Sequence, residues 1–61
     1  MYQKFKQLIS ERNITAYRVA KDLELSPMVF SDWKNGKSKP KADKLKKIAD
    51  YFGVTIEYFL E

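Results

Sequence analysis

Between Thr15 and Asn35 the chain has to reverse its course almost without a loop. Val19, Ala20 and Leu23 recur at i, i+1 and i+4, the apolar face of a helix, and Phe30 and Trp33 share a second such face. Only Glu24, Leu25 and Ser26 lie between the two patterns. Both helices open on strong signals. Thr15 can accept a hydrogen bond from the free N–H groups of a first turn, and Ser26-Pro27 joins a capping hydroxyl to a proline whose missing N–H is harmless at the first helical position. Asn35-Gly36 stops the second helix, glycine being suited to the left-handed position just past a helix end. The spacing predicts one helix over Ala16–Leu23 and another over about 27–35. Ala20 is small, as a close helix crossing requires.

The flanking stretches read the same way. Tyr2, Phe5, Leu8 and Ile9 mark a first helix that closes near Arg12-Asn13, with Ile14 turned inward. Lys37-Ser38-Lys39-Pro40 is a loop. Leu45, Ile48, Ala49 and Phe52 form a clean amphipathic pattern that ends at Gly53-Val54, and Thr55 caps a short last helix carrying Ile56, Phe59 and Leu60. Asn35-Gly36 is not flanked by alternating strands, so no hairpin is expected. No repeat, low-complexity tract or linker interrupts the series. The expectation is a single all-α domain over 1–61, a compact bundle of five helices.

Composition narrows what such a bundle can do. With neither Cys nor His among 61 residues, disulfide staples and the usual zinc-ligand sets are excluded, and no metal or cofactor is expected. Stability must come from a hydrophobic fraction of 44% that includes four Phe, four Tyr and one Trp, each well-buried side chain contributing roughly 1.5–3 kcal/mol. Catalysis would have to rest on Ser, Asp, Lys or Tyr. No spacing converges them in a cleft, so neither an enzyme nor a small-molecule substrate is expected. No apolar run approaches the ~18 residues of a membrane span, and the N-terminus does not read as a signal peptide, which together with the missing Cys fits a cytoplasmic protein. Charge is unevenly placed. Residues 1–32 are near neutral, 33–47 hold seven Lys against one Asp, and 48–61 hold three acids and no base. A local concentration of positive charge is what a polyanion site needs.

The series Ile14-Thr15, Val19 to Leu23, Leu25-Ser26, Phe30 to Lys37, Lys39-Pro40-Lys41, Leu45, Ile48-Ala49, Phe52-Gly53-Val54 and Tyr58-Phe59-Leu60 resembles the phage-repressor-like (Cro/CI or XRE) helix-turn-helix family of transcription regulators, in register from Phe5 to Leu60. The resemblance implies a lambda-repressor-like DNA-binding domain whose second and third helices form the helix-turn-helix. It implies a double-stranded DNA operator as partner, with repression as the commoner mode. Helix 3 would lie in the major groove. Carried over position by position, Ser26, Pro27, Met28, Val29, Ser31 and Asp32 would face bases. Thr15, Ala16, Tyr17, Arg18 and Lys21 on helix 2, and Lys34, Asn35, Lys37, Lys39 and Lys41 at the end of helix 3 and beyond, would meet phosphates. Lys44, Lys46 and Lys47 read as a solvated face.

Three positions depart from the family pattern. Ala16 stands where a polar side chain often binds phosphate. Glu24 stands where Gly is common. The reading face has no Arg, Gln or Asn in its first two turns, the residues that make bidentate base contacts. What it offers suits thymine methyl groups (Met28, Val29) and a cytosine amino group (Asp32), with two serines that fit either sense. The alternative reading is a protein-binding module of the same fold, of antitoxin or anti-repressor type, using the Met28/Val29 surface. Such domains normally dimerise on two half-sites, and the excess of apolar and aromatic groups near the last helix (Tyr51, Tyr58, Phe59 and Leu60) is the expected homodimer contact.

Overall fold

The computed structural model describes residues 1–60. It contains α1 (Tyr2–Glu11), α2 (Ala16–Leu23), α3 (Pro27–Lys34), α4 (Ala42–Phe52) and α5 (Ile56–Leu60), and no strand among the described residues. The expected all-α, five-helix architecture is what forms. Thr15 Oγ1 accepts from the Arg18 N–H and Ser26 Oγ from the Met28 N–H, the two side-chain caps expected for α2 and α3.

Four of the five helices end by one device. Asn13, Glu24, Gly36 and Gly53 all have positive φ, between 55° and 75°. After each, the next residue donates back to a carbonyl five positions earlier: Ile14 to Ile9, Leu25 to Ala20, Lys37 to Asp32, Val54 to Ala49. The positive-φ residue itself donates to a carbonyl three positions earlier. This pairing defines the Schellman motif, which satisfies the orphan carbonyls of a last turn and carries an apolar contact just beyond it. Ile14, Leu25 and Val54 supply that contact and pack against the core. At the end of α3 the same position is Lys37, which is exposed.

The core is aromatic at its centre. Phe5, Val19, Ile48 and Phe59 are fully buried, with Ala20, Phe30, Trp33, Leu45, Ala49 and Phe52 around them. The Phe5 ring stacks on Phe30 at 4.8 Å, tilts against Trp33 at 5.3 Å and meets Phe52 edge-on at 5.9 Å. Such pairs contribute about 0.5–1.5 kcal/mol each beyond their buried area, which matters in a chain too small for a large aliphatic core. Ala20 has no exposed surface, and α2 and α3 are packed in contact, as a small residue on the shared face allows.

Two long-range ties were not foreseen from the sequence. Arg12 Nη2 donates to the Phe52 carbonyl at 2.9 Å, and its guanidinium lies 5.2 Å from the centre of the Phe52 ring, so a cation caps the C-terminus of α4. From the neighbouring position on α4 the Tyr51 hydroxyl donates to Asp22, joining α4 to α2.

The aromatic residues expected at a dimer contact are largely occupied within the chain. Phe59 is fully buried against Trp33, so it is core and not outer surface, because α5 turns it toward the aromatic centre. The Tyr51 hydroxyl is bonded to Asp22. The Tyr58 ring lies against Phe59 with the Lys4 ammonium 5.0 Å from its centre. Leu60 alone of the four is exposed, at 63%.

Candidate nucleic-acid interface

α3 is short, and its two ends are fixed by local chemistry. Ser26 and Pro27 start it and the motif at Gly36 ends it, while Phe30 and Trp33 anchor its inner face. Its outer face is left between two open grooves. One, of ≈ 360 Å³, runs along Met28, Val29 and Asp32 and is walled opposite by Ser38, Lys39, Pro40, Lys41 and Lys44. The other, of ≈ 290 Å³, lies along Pro27, Ser31 and Lys34 and is walled by Ala16 and Tyr2.

The structure thus sorts the expected base-facing residues into two edges. Met28 is 62% exposed. Ser26, Pro27 and Ser31 are also exposed, while Val29 and Asp32 are half-buried in the first groove. The Ser26 oxygen is engaged in capping, which leaves its O–H free to donate. Among the residues expected to meet phosphates, Thr15, Tyr17, Lys21, Lys34, Asn35, Lys37, Lys39 and Lys41 are exposed, and Ala16 is half-buried at the first turn of α2.

Arg18 has a partner inside the chain. Its Nε lies 3.1 Å and 3.3 Å from the two Asp22 carboxylate oxygens. The Tyr51 hydrogen bond, followed by the hydrogen bond and charge of Arg18, holds the Asp22 carboxyl below its ordinary 3.8 against the opposing effect of burial. The same bond to Asp22 raises the Tyr51 phenol above its ordinary 10.0. Arg18, Asp22 and Tyr51 form one network that braces α2 against α4.

Three residues of these grooves escaped the sequence reading. Lys44 stands on the wall opposite Met28 rather than on a purely solvated face. Tyr2 packs edge-on against Trp33 at 5.5 Å and borders the second groove. Pro40 is buried, so the loop after α3 is pinned at its far end. Lysine spacing and proline position gave no warning of these placements. The α1–α3 contact and the loop anchor are tertiary. Among the described residues no group of acidic side chains could hold a metal ion, and no helix is long and apolar enough to cross a membrane.

A family model described as a helix-turn-helix domain matches residues 2–61. The chain belongs to the helix-turn-helix family, of the phage-repressor-like, XRE type. Its resemblance in register from Phe5 to Leu60 is accounted for by that membership, and the family's work is DNA-binding transcription regulation. An HTH-type transcriptional activator, BcrR, from Enterococcus faecalis is 36% identical over 58 residues, which is 95% of this chain and 28% of the relative. The helix-turn-helix chain therefore spans well under a third of that curated relative. No solved structure matches it.

Proposed function

We propose that this chain binds duplex DNA sequence-specifically with α3 in the major groove, as a regulator whose role is binding and not catalysis. One observation carries the reading. Of four helix ends built alike, three pack a half-buried apolar residue against the core, and the one that ends α3 leaves Lys37 exposed to solvent. A local rule broken at one place marks a functional position. Lys37, with Lys34, Lys39, Lys41 and Lys44, places charge beside the outer face of α3, where the phosphates flanking a bound groove would run. Met28 and Val29 pack on thymine methyl groups, Asp32 accepts from a cytosine amino group, and Ser26 and Ser31 bond either kind of edge. The backbone N–H groups at the start of α2 meet a phosphate.

Two copies would occupy two half-sites about 34 Å apart, one turn of the duplex. Repression by occupying a cytoplasmic promoter is the proposed mode, because it needs no surface beyond the DNA-binding one. BcrR is described as an activator, so the sign is tested directly: a reporter gene bearing selected sites falls when the protein is expressed, and a rise overturns repression.

The binding experiment is fluorescence anisotropy on labelled duplex at several salt concentrations. Log K falls against log[salt] with a slope of about −0.9 per phosphate engaged. Lys37→Ala with Lys39→Ala weakens binding to all duplexes alike and lowers the slope by about 1–2 units. Met28→Ala and Asp32→Ala instead change preference at one or two base positions, by roughly 1–3 kcal/mol each, in selection from a random pool. Binding without salt dependence, or unaltered preference in both variants, defeats this assignment. The exposure of Met28 favours a second reading, a protein-binding patch of antitoxin or anti-repressor type. In that case the protein shows no salt-sensitive binding to any duplex.

A further inference from the structure

Asp32 is a carboxylate among lysines that pairs with none of them. It is half-buried in the groove of ≈ 360 Å³ beside α3, which Lys39, Lys41 and Lys44 also line. Among the described residues the ion pairs are Arg18–Asp22 and Lys46–Asp50, and no hydrogen bond reaches the Asp32 carboxylate. Its place is nonetheless fixed, because its own carbonyl accepts the Lys37 N–H at 2.9 Å in the motif that closes α3. Met28 stands at i−4 and Val29 at i−3, so all three share one face of the helix and line one groove. Met28 is exposed, and Val29 is half-buried against the core. An acceptor without a donor therefore lies beside an apolar edge. We propose that this face selects 5-methylcytosine, so that the protein binds a methylated form of its DNA site more tightly than the unmethylated form.

The chemistry of the base edges chooses the ligand. In the major groove cytosine presents an N4 amino donor, and thymine presents an O4 acceptor beside its C5 methyl. Adenine sets an N7 acceptor beside its N6 donor, and guanine offers two acceptors. An ionised carboxylate only accepts. It takes the cytosine amino group and repels thymine O4, adenine N7 and both guanine acceptors. The apolar pair favours a methyl group. No unmodified base offers both features without a repelled acceptor. 5-Methylcytosine carries the amino group and the methyl on adjacent ring carbons. Side chains one turn apart on a helix leave Cβ atoms about 5–6 Å from one another, and the long, flexible Met28 side chain closes that distance. Asp32 then accepts from N4, while Met28 and Val29 cover the methyl group.

This specificity rests on α3 lying in the major groove, and the experiment separates the two. A site selected from a random pool is made as four duplexes that differ only at the base pair facing Asp32. Its pyrimidine is cytosine, 5-methylcytosine, thymine or uracil, which present the amino group and the methyl in every combination. In anisotropy titrations 5-methylcytosine is expected to bind about fourfold more tightly than cytosine, the worth of one buried methyl group. Thymine and uracil fall about tenfold or more below cytosine. Met28→Gln, at an exposed position, cuts the gain from the methyl group and keeps the preference for cytosine over uracil. Asp32→Asn, whose amide can donate to O4, removes the preference for cytosine over thymine and keeps the gain from the methyl group. A methyl group that leaves affinity unchanged or lowers it, in a protein that still prefers cytosine, overturns the methyl selectivity and leaves the groove-reading helix standing. So does a methyl gain that is undiminished in Met28→Gln. The absence of salt-sensitive binding to any duplex defeats both.

Discussion

Glu24 has φ 58°, a conformation glycine adopts freely and a side chain bearing a Cβ does not. It ends α2 by the same hydrogen bonds that Gly53 makes at the end of α4. Glu24→Gly is expected to stabilise the fold by about 1 kcal/mol, a rise of roughly 4–8 °C in Tm for a domain this small. Asn13 has nearly the same φ, but Asn is tolerated there, so Asn13→Gly moves Tm much less. Thermal unfolding of the two variants beside the parent checks the contrast. Asp22 and Tyr51 give a prediction in pH. The folded carboxyl titrates below 3.8, so its contribution is present above that value and is lost as pH falls through the folded pKa. The folded phenol titrates above 10.0, so its contribution is present below that value and is lost as pH rises through the folded pKa. Tyr51→Phe removes the hydrogen bond and flattens the stability profile at both ends, read from melts across the pH range.

At the scale of elements, the joint after α3 decides more than the helix itself. Gly36 has φ +75° and open space where a Cβ would stand, so a substitution there strains the backbone without any clash. Gly36→Ala is expected to cost about 1 kcal/mol of stability. It also shifts Lys37 and the loop up to the buried Pro40, so DNA affinity falls through the phosphate contacts while base preference stays as it was. Anisotropy at two salt concentrations, set beside selection from a random pool, separates these effects. The caps and closing residues of all these joints were legible in the sequence because each depends on neighbours within about five positions. Lys37 as the odd member of the set was not. Its meaning emerges only when Ile14, Leu25 and Val54 are seen packed against the core at equivalent positions.

The molecule as a whole rests on one aromatic cluster, and that cluster contains a polar defect. Trp33 Nε1 is buried with no hydrogen-bond partner among the described residues. An unsatisfied buried donor costs about 1–3 kcal/mol. Trp33→Phe loses packing but removes that penalty, so its net effect is expected to be far smaller than the ~3–5 kcal/mol lost in Trp33→Ala. Urea denaturation of both variants measures the difference.

The sequence by itself determined the number of helices, the limits of α2 and α3 to within a residue, the caps at Thr15 and Ser26 and the glycine closures at Gly36 and Gly53. It also determined the family to which the register belongs. Periodicity, capping and glycine chemistry act over a few residues, and a chain this short leaves little room for other arrangements. Only the tertiary structure decided which apolar groups near the end of the chain remain outside. Phe59 is core, Tyr51 is bound to Asp22, and Leu60 is free. It also decided that Arg12 reaches Phe52, 40 positions away, and that Tyr2 and Pro40 frame α3. Those contacts join residues far apart in the chain, and no local pattern records which partner a side chain will meet once five helices have closed on one another.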